Sequence, residues 1–370
     1  MPPISVLIKP ASSLCNMSCD YCFYCDEAFK RSQCSYGFMD EMTLKNTVRK
    51  TLLRADGMAS YVFQGGEPTL CGIDFFKKVV AYQKQYNKKN IKIYNALQTN
   101  GFSLTEEWCI FLKENNFLVG LSVDGTKEIH NSLRHTKNGK DTFQRILKSS
   151  KLMDKYKVDY NILTVVTRAV AKNISEIYQF YKNQGWNYQQ YIACLDPLDE
   201  KHGNEVYSLT PEIYGKFLAD LFNLWDKDYK KGKEPYIRQF VNYINLAAGF
   251  MAESCDQTGF CGIQYVVEAD GSVYPCDFYV LDQYQLGNFN ENQLDQINER
   301  RLEIGFIERS FKLALKCREC QYYKLCRGGC QRCRDLNPDT GLYENYFCEA
   351  YKIFFSACYD RIIEIAGNAR

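Results

Sequence analysis

Hydrophobic and polar positions follow two alternating patterns along the first 200 residues. Short apolar runs, typical of buried strands, alternate with stretches whose apolar residues recur three and four positions apart, as on one face of a helix. The strand-like runs cover residues 5–8, 61–63, 91–97, 118–123, 159–166 and 189–193. The helix-like stretches cover residues 42–53, 75–86, 106–115, 142–156 and 174–183. Asp141 and Asn173 are the expected N-caps of the last two helices.

This series of six βα units predicts an α/β fold with parallel strands in a partial (β/α)6 barrel. A closed barrel of eight units takes about 250 residues, which is more than this part of the chain offers. Polar segments follow the strands, and the carboxyl ends of parallel strands meet at one edge of the sheet. We therefore expect Gln64, Gln98, Asn100 and Asp124 to face a common rim.

The rest of the chain has a different character. Residues 200–250 read as a connector with helices over 211–229 and 237–250. Residues 255–348 are loop-rich and carry eight well-spaced cysteines besides Cys333. A last helix is expected over 351–365. The sequence thus predicts two domains, a partial barrel with its first connector helix over 1–235 and a cysteine-rich domain over 236–370.

Net charge, apolar runs and the cysteine and histidine counts limit the kinds of partner and metal site that this chain can have. The formal net charge of +2 gives no support for a nucleic-acid or membrane-surface partner. The chain has no apolar run of about 20 residues and its N-terminus does not resemble a signal peptide, so we expect a cytoplasmic protein. Disulfides seldom persist there. The 18 cysteines and only 3 histidines therefore indicate thiolate-bound metal, either iron–sulfur or zinc.

The first cysteine group is Cys15, Cys19 and Cys22, spaced as CxxxCxxC directly after the first strand. Three thiolates can hold three corners of a 4Fe–4S cluster and leave the fourth iron open to a ligand. Two alternatives remain at this point. The site could bind zinc, or Cys25 could supply the fourth ligand.

Together with Gly65-Gly66-Glu67-Pro68 after the second strand, this motif resembles the radical S-adenosylmethionine superfamily. The resemblance implies that the open iron binds S-adenosyl-L-methionine and that the Gly-Gly-Glu segment holds the amino group of this cofactor. The residues implied as cofactor contacts are Tyr21, Gly66, Ser122, Arg134 and Leu195. For Arg134 the alternative is an ordinary surface arginine.

The second cysteine group is Cys255, Cys261, Cys276, Cys317, Cys320, Cys326, Cys330 and Cys348. Eight thiolates suffice for two four-cysteine clusters or for two structural zinc sites. The spacing from Cys261 to Cys348 resembles the SPASM extension, which carries two auxiliary 4Fe–4S clusters. The resemblance assigns one cluster to Cys255, Cys261, Cys276 and Cys330, and the other to Cys317, Cys320, Cys326 and Cys348. Three 4Fe–4S clusters are thus expected in all.

Segments 9–13, 63–70, 97–101 and 274–279 resemble the anaerobic sulfatase-maturating enzymes. The resemblance implies oxidation of a Cys or Ser side chain in an unfolded or nascent sulfatase polypeptide to Cα-formylglycine. It implies a low-potential electron donor such as ferredoxin or flavodoxin, and it makes Asp277 the candidate catalytic base. The alternative for Asp277 is an aspartate that caps a turn.

Two rival functions remain open. The same machinery could form a thioether cross-link in a small peptide. From another class, the chain could be a non-catalytic iron–sulfur or zinc protein that carries electrons or serves as a scaffold. Among the other cysteines, Cys109 and Cys358 lie in helical patterns and are expected in the core, and Cys333 lies just outside the cluster motif.

Overall fold

The computed structural model describes residues 3–368. Contacts within the chain group these residues into two compact units. The first unit comprises the described residues through Val123, His130–Asn161 and Ile263–Gly305. The second comprises Asp124–Ile129, Ile162–Gly262 and the described residues from Phe306 onward. Each unit is therefore assembled from segments that are distant in sequence.

Strands and helices alternate through both units. The strands are β1 Ile4–Ile8, β2 Met17–Cys19, β3 Met58–Phe63, β4 Lys92–Thr99, β5 Phe117–Ser122, β6 Arg134–Thr136, β7 Tyr160–Val166, β8 Tyr188–Ala193, β9 Tyr236–Ile237, β10 Tyr265–Val267, β11 Ser272–Tyr274, β12 Gly287–Asn288, β13 Arg334–Asn337 and β14 Leu342–Asn345. The helices are α1 Phe23–Phe29, α2 Glu41–Arg54, α3 Ile73–Tyr86, α4 Glu106–Glu114, α5 Lys127–Leu133, α6 Phe143–Tyr156, α7 Arg168–Lys172, α8 Ile174–Asn183, α9 Pro211–Tyr229, α10 Arg238–Ala248, α11 Cys255–Thr258, α12 Leu294–Glu303, α13 Phe306–Arg309, α14 Leu315–Arg318, α15 Tyr323–Cys326 and α16 Cys348–Asn368. Short 3-10 helices cover Pro68–Cys71, Asp277–Tyr279, Asp282–Tyr284 and Gln331–Cys333.

The sheet of the first unit runs in the order β12-β11-β10-β1-β3-β4-β5. Strands β10, β1, β3, β4 and β5 are parallel, whereas β11 and β12 pair in the antiparallel sense. Aromatic side chains fill the space between this sheet and its helices. Phe76 of α3 lies edge-on to Phe63 at 5.1 Å and close to Phe117 at 6.2 Å. Burial of these rings removes a large apolar area from water and fixes the helix on the sheet.

In the second unit β7, β8 and β9 are parallel neighbours. Helices α9 and α16 pack closely because Gly215 of α9 leaves room for the backbone of α16. A Cβ atom at that position would lie 2.8 Å from the carbonyl oxygen of Ala350. Phe222, Phe240 and Phe354 complete the helical core, with ring centroids 5.1 and 5.9 Å from Phe222. The C-terminal helix is thus part of the core of this unit.

The predicted fold class is confirmed: parallel strands alternate with helices, and within the described residues neither series of strands closes on itself. Cys109 and Cys358 are buried in their helices, as expected. The expected N-cap Asp141 is wrong, because Thr142 precedes the first turn of α6. Asn173 does occupy the N-cap position of α8, yet its side chain donates back to the carbonyl oxygen of Ala169 instead of capping. In the described part of the chain, the helices are too short or too polar to cross a membrane.

Candidate active site

The first cysteine group lies in the loop that follows β1, within the first unit. Cys19 ends β2 and pairs in register with Arg134 of β6, and Cys22 is the N-cap residue of α1. The amide of Asn100, at the end of β4, donates to Cys15 Sγ at 3.7 Å. Burial, together with the charges of Glu67, Cys19 and Cys22, raises the pKa of Cys15 to about 12 although the Met17 N–H acts against it. The three thiols are therefore neighbours. Because the site is buried, a thiolate there would be stabilised only by a nearby positive charge.

Glycine is required at position 66 for a steric reason. Gly66 has a φ of +50°, and a Cβ atom there would lie 2.2 Å from the carbonyl oxygen of Leu14 in the cysteine loop. The adjacent Glu67 N–H donates to the same carbonyl oxygen at 2.8 Å. The turn after β3 and the cysteine loop are thus held against each other through backbone atoms.

The carboxylate of Glu67 joins three segments of the first unit. It is 1% exposed. Its Oε1 accepts from the Thr69 N–H and hydroxyl and from the Thr99 hydroxyl, and its Oε2 accepts from the Asn100 N–H at 2.8 Å. Burial raises the pKa of Glu67, and these hydrogen bonds oppose the rise. The Glu67 carboxylate therefore uses its acceptor capacity within the fold and holds the loops after β3 and β4 together. A ligand at this site would instead meet the backbone of the Gly-Gly-Glu segment.

Asp277 lies at the centre of a compact polar group in the first unit. It begins the 3-10 helix that directly follows Cys276 and is 7% exposed. Tyr24 Oη donates to Asp277 Oδ2 at 2.6 Å, and Gln64 Nε2 donates to the same oxygen at 2.9 Å. The second oxygen, Oδ1, has no hydrogen-bond partner among the described residues. One oxygen is therefore fixed by two donors, and the other is buried with no hydrogen bond from the described residues.

Charged side chains surround this group. Lys9 Nζ lies 4.9 Å from the centre of the Tyr24 ring and 3.6 Å from Glu268 Oε2, and Arg31 also donates to Glu268. Burial raises the pKa of Asp277, helped by the charge of Glu268. Lys9 and the hydrogen bonds from Tyr24 and Gln64 oppose this rise. A carboxylate in such a setting takes up a proton more readily than one in water.

Glu27 is a second buried carboxyl group, on α1. The residue is 2% exposed. Burial raises the pKa of Glu27 to about 8, against the attraction of Lys9 and Arg31. At neutral pH this side chain is therefore mainly protonated, which reduces the cost of burying it beside Asp277.

Like Gly66, three other predicted cofactor contacts lie in the first unit, namely Tyr21, Ser122 and Arg134. Arg134, on β6 opposite Cys19, is buried, and its Nη1 donates to the Tyr21 hydroxyl at 2.7 Å. Ser122 ends β5, and its hydroxyl accepts from Gln98 Nε2 at 3.1 Å. The alternative for Arg134 as a surface residue is wrong, because only 6% of the residue is exposed.

Leu195 and Asp124 belong to the second unit. Leu195 follows β8 and is half-buried, and Asp124 Oδ1 accepts from the Val165 N–H at 2.9 Å. Next to Leu195, Asp196 accepts from Ser208 and Gly203 and lies 3.3 Å from His202 Nδ1. The loop after β8 is thus fixed by one buried carboxylate.

The auxiliary cysteines also form neighbouring sets. Burial and then the charge of Cys330 raise the pKa of Cys255 to about 12 and of Cys261 to about 11, so these three lie together in the second unit. Burial and the charges of Cys348, Cys317 and Cys320 likewise raise the pKa of Cys326 to about 12. Cys276, which the resemblance groups with Cys255, Cys261 and Cys330, belongs to the first unit and lies two residues after β11.

The donor chemistry fits iron–sulfur clusters. Within residues 3–368 no three His, Cys, Asp or Glu side chains converge on one point as ligands of a single ion do. A cluster of four irons instead takes one thiolate at each iron corner, which suits sets of neighbouring thiols. Burial raises the pKa of Cys15, Cys255, Cys261 and Cys326, so a bound metal centre would offset the cost of ionising these thiols.

The sequence did not single out Tyr24 or Glu27. Tyr24 is separated from Asp277 by 253 positions, so no local pattern links them. The available signal was the position of Tyr24 two residues beyond Cys22, on the same short helix as Glu27.

Comparisons with known proteins agree with this geometry. The model of the radical SAM superfamily matches residues 10–181, and that of the SPASM iron-sulfur cluster-binding domain matches residues 259–321. The fold and the site thus define a radical S-adenosylmethionine protein with a C-terminal iron–sulfur cluster-binding segment.

Similar proteins and a solved structure show to which family of radical S-adenosylmethionine proteins this chain belongs. A cysteine-type anaerobic sulfatase-maturating enzyme of Clostridium perfringens is 47% identical over 370 residues, covering 100% of each chain. A serine-type enzyme of Bacteroides thetaiotaomicron is 31% identical over 95% of this chain and 89% of its own. A solved structure of native anSMEcpe with bound AdoMet and Cp18Cys peptide has a TM-score of 0.95 at 46% identity, covering 100% of both chains. This chain belongs to the family of anaerobic sulfatase-maturating enzymes.

Proposed function

We propose that this enzyme oxidises a cysteine side chain in an unfolded or nascent sulfatase polypeptide to Cα-formylglycine. The observation that carries the proposal is the Asp277 carboxylate directly after Cys276. Tyr24 and Gln64 hold its Oδ2, and its buried Oδ1 has no hydrogen-bond partner among the described residues. A base at that point can take a proton from a substrate thiol beside a group that accepts an electron.

The cofactors are assigned to named residues as part of the proposal. Cys15, Cys19 and Cys22 would hold the first 4Fe–4S cluster, and Tyr21, Gly66, Ser122, Arg134 and Leu195 would contact S-adenosyl-L-methionine. The two auxiliary clusters would be held by Cys255, Cys261, Cys276 and Cys330 and by Cys317, Cys320, Cys326 and Cys348. When bound, these groups would supply abstraction of a hydrogen atom from the substrate Cβ and an acceptor for the remaining electron.

The chain's own residues then have distinct roles. Asp277 Oδ1 takes the proton from the target sulfur, while Tyr24 and Gln64 fix Oδ2 and so orient the carboxylate. Gly66 brings the backbone close to the cysteine loop, and Arg134 offers a planar cation for the cofactor carboxylate. Residues 1–235 would carry the radical chemistry and residues 236–370 the auxiliary electron path, in the cytoplasm, with ferredoxin or flavodoxin as electron donor.

Cysteine is proposed as the target because the cysteine-type relative is more similar than the serine-type relative, at 47% against 31% identity. The test is to incubate the reduced, reconstituted enzyme with S-adenosyl-L-methionine and an unfolded peptide containing Cys-x-Pro-x-Arg. Loss of a hydrogen atom, a proton and an electron leaves a thioaldehyde, which water hydrolyses to the aldehyde with release of hydrogen sulfide. Formylglycine formation therefore removes one sulfur and two hydrogens and adds one oxygen, and mass spectrometry detects this change together with 5′-deoxyadenosine.

Peptides that differ only at the target residue test which side chain the enzyme oxidises. A Ser peptide is expected to react more slowly than the Cys peptide, and an Ala peptide gives no aldehyde. Loss of two hydrogens without gain of oxygen would instead indicate thioether cross-linking. Absence of 5′-deoxyadenosine from an enzyme with intact clusters would show that the chain is a non-catalytic iron–sulfur protein.

A further inference from the structure

Arg334, in the second unit, is a buried cation without an acidic partner. It begins β13 and is 8% exposed. Its guanidinium group donates to four backbone carbonyl oxygens at 2.5–3.0 Å, those of Gly259, Ser310, Gly328 and Gly329. Among the described residues, no Asp or Glu side chain pairs with it. Carbonyl groups satisfy its N–H donors but carry no net charge, so the positive charge of Arg334 is not compensated by these residues.

All four carbonyl groups belong to segments that carry or contact auxiliary cysteines. Gly259 lies two residues before Cys261. The hydroxyl of Ser310 accepts from the Cys261 N–H at 3.0 Å. The other two glycines separate Cys326 from Cys330. The guanidinium group therefore joins loops whose cysteines are assigned to both auxiliary clusters.

These loops pack closely around the guanidinium group. A Cβ atom at Gly259 would lie 2.3 Å from the carbonyl oxygen of Arg327, and one at Gly329 would lie 2.4 Å from Asn345 Nδ2. Arg327 and Gly329 both have a positive φ, of +51° and +64°. Because water is excluded from this packing, the charge of Arg334 is screened less than a charge at the surface.

Two lysines close in sequence to the auxiliary cysteines have a different setting. Lys316 pairs with Glu344 at 2.5 Å, and Lys352 pairs with Glu349 at 2.7 Å. All four of these side chains are exposed. Each acidic partner cancels much of the field of its lysine, and solvent screens the remainder. Arg334 differs from both lysines because it is buried and unpaired by acid.

The charge of Arg334 acts on cysteines of both auxiliary sets. Burial raises the pKa of Cys261 to about 11, and the charge of Arg334 opposes this rise. Burial also raises the pKa of Cys317, and Arg334 again opposes the rise. A 4Fe–4S cluster with four thiolate ligands is an anion, and it becomes more negative when it accepts an electron. A fixed cation beside it therefore favours the reduced cluster.

We propose that Arg334 is a positioning residue for the reaction, a fixed countercharge that raises the reduction potential of the auxiliary clusters. It would thereby favour transfer of the substrate's remaining electron to them. The substrate loses one electron, a cluster gains it, and no atom is transferred. The inference rests on the proposed function for the cluster assignment. The potential itself is measurable without turnover.

The test compares two substitutions in the reconstituted holoenzyme. Arg334→Gln removes the charge. Arg334→Lys keeps the charge but cannot reproduce the planar fork that binds the four carbonyl groups. Redox titration followed by electron paramagnetic resonance gives the potentials. Signals that change when S-adenosyl-L-methionine is added belong to the first cluster, and the others report the auxiliary clusters.

Arg334→Gln should lower the equilibrium constant for reduction of the auxiliary clusters about tenfold, which is a shift of about 59 mV to more negative potential for a one-electron couple. Arg334→Lys should stay within about twofold of the unsubstituted enzyme, because the charge is retained. The potential of the first cluster should be the same in all three proteins.

The matched control is Arg361→Gln, which removes a positive charge elsewhere in the second unit. Arg361 pairs with Asp226 at 3.0 Å, and Lys230 also pairs with this carboxylate. At the usual helical rise, Arg361 lies about 20 Å along α16 from Cys348. This control should leave the potentials of the auxiliary clusters unchanged.

A purely structural role for Arg334 predicts a different pattern. Both substitutions lose the hydrogen bonds to the carbonyl groups, so both would shift the potentials alike. Equal shifts, or no shift in Arg334→Gln relative to the control, would overturn the proposal. If Arg334→Gln loses auxiliary iron, iron analysis decides instead. Retention of that iron in Arg334→Lys supports a countercharge, whereas loss from both variants overturns it.

The outcome for Arg334 is separable from that for the proposed function. Unchanged potentials in Arg334→Gln, with normal formylglycine formation, would overturn only the role of Arg334. An unsubstituted enzyme that holds its auxiliary clusters but forms no formylglycine would overturn the proposed function, and the potentials would still decide whether Arg334 acts as a countercharge.

Discussion

At the scale of single residues, the two oxygens of Asp277 have different surroundings. Tyr24 and Gln64 both donate to Oδ2, and Oδ1 is buried without a partner among the described residues. Asparagine at this position keeps the shape of the side chain and can still accept these bonds, but it cannot take up a proton. The substitution therefore tests the base with little disturbance of packing.

Asp277→Asn should lower the rate of formylglycine formation about a hundred- to ten-thousand-fold, the usual contribution of a positioned general base. Formation of 5′-deoxyadenosine should continue, because cofactor cleavage does not need this carboxylate. Both products are quantified in the same anaerobic reaction by liquid chromatography and mass spectrometry.

The control is Asp282→Asn, five positions along the chain. Asp282 is exposed and accepts from the Ser32 N–H at 2.9 Å, so its amide should support normal turnover. A rate for Asp277→Asn within twofold of this control would remove Asp277 from the mechanism.

Gly66→Ala should destabilise the first unit. The φ of +50° costs an alanine about 1–3 kcal/mol, and its Cβ would displace the Leu14 carbonyl oxygen 2.2 Å away. We expect a lower midpoint of thermal unfolding under anaerobic conditions and weaker binding of S-adenosyl-L-methionine.

Gly37→Ala is the matched control for this prediction. Gly37 has a φ of +73°, and nothing lies within 4 Å of the position of its Cβ. It therefore reports backbone strain alone. Equal losses in the two variants would mean that contact with Leu14 contributes nothing.

Site residues in local motifs could be predicted from the sequence. Those that join the site only through contacts between distant segments could not. The cysteines and Gly66 lie in short motifs whose spacing is itself the signal. Tyr24 belongs to the site only because the chain brings it to Asp277 across 253 positions. Glu67 shows the opposite case, since its place in the motif suggested a ligand contact and its hydrogen bonds assign it a role inside the fold.

At the scale of elements, periodicity placed the long strands and helices to within a few residues. Helix α8 begins and ends where the pattern predicted, and α16 begins three residues before the predicted start. The pair β2 and β6 was not predicted, because strands of three residues are too short to show an alternating pattern. This pair matters for the site, since it places Arg134 opposite Cys19.

The loop after β8 gives a pH prediction. A hydrogen bond to Asp196, and then one to Asp335, raises the pKa of His202. A histidine whose pKa is higher in the folded state stabilises the fold fully below its unfolded value of about 6.5, and this contribution is lost as the pH rises through the folded value. Burial acts against ionisation of Asp196, yet hydrogen bonds from His202, Ser208 and Gly203 keep its pKa low, so its carboxylate is charged throughout this range.

His202→Gln should therefore lower the free energy of unfolding by about 1 kcal/mol near pH 6 and by much less near pH 9. Thermal unfolding of both proteins across this range measures the difference. Lys201→Gln, at an exposed neighbouring position, should show no such dependence. A loss that is equal at both pH values would mean that the His202 charge does not contribute.

At the scale of the whole molecule, segments that are distant in sequence build each unit. Strand β10 pairs with β1, so residues 263–305 join the first unit and bring Asp277 to Tyr24, beyond the loop after β1. Local patterns cannot show such a pairing, because it depends on which strand edges remain unoccupied. The predicted domain boundary at residue 235 stays a prediction.

Three separate cysteine sets predict the metal content of the whole chain. Reconstituted enzyme should contain about twelve irons and as many sulfides, four per cluster. Replacing Cys15, Cys19 and Cys22 together by Ala should leave about eight irons and abolish binding of S-adenosyl-L-methionine, because the open iron is lost with its cluster. Iron and sulfide analysis, with electron paramagnetic resonance of the reduced protein, measures both effects.

The matched control replaces Cys25, Cys34 and Cys71 by Ser, three partly or fully exposed cysteines outside the predicted ligand sets. This variant should keep all twelve irons, about four per cluster, and its reduced spectrum should still shift when S-adenosyl-L-methionine is added. Loss of the first cluster from this control would assign a ligand role to Cys25. Of the three replaced cysteines, Cys25 is the one that extends the CxxxCxxC motif by a further CxxC spacing. The first cluster would then have four protein ligands and no open iron, and the radical route would have to be abandoned.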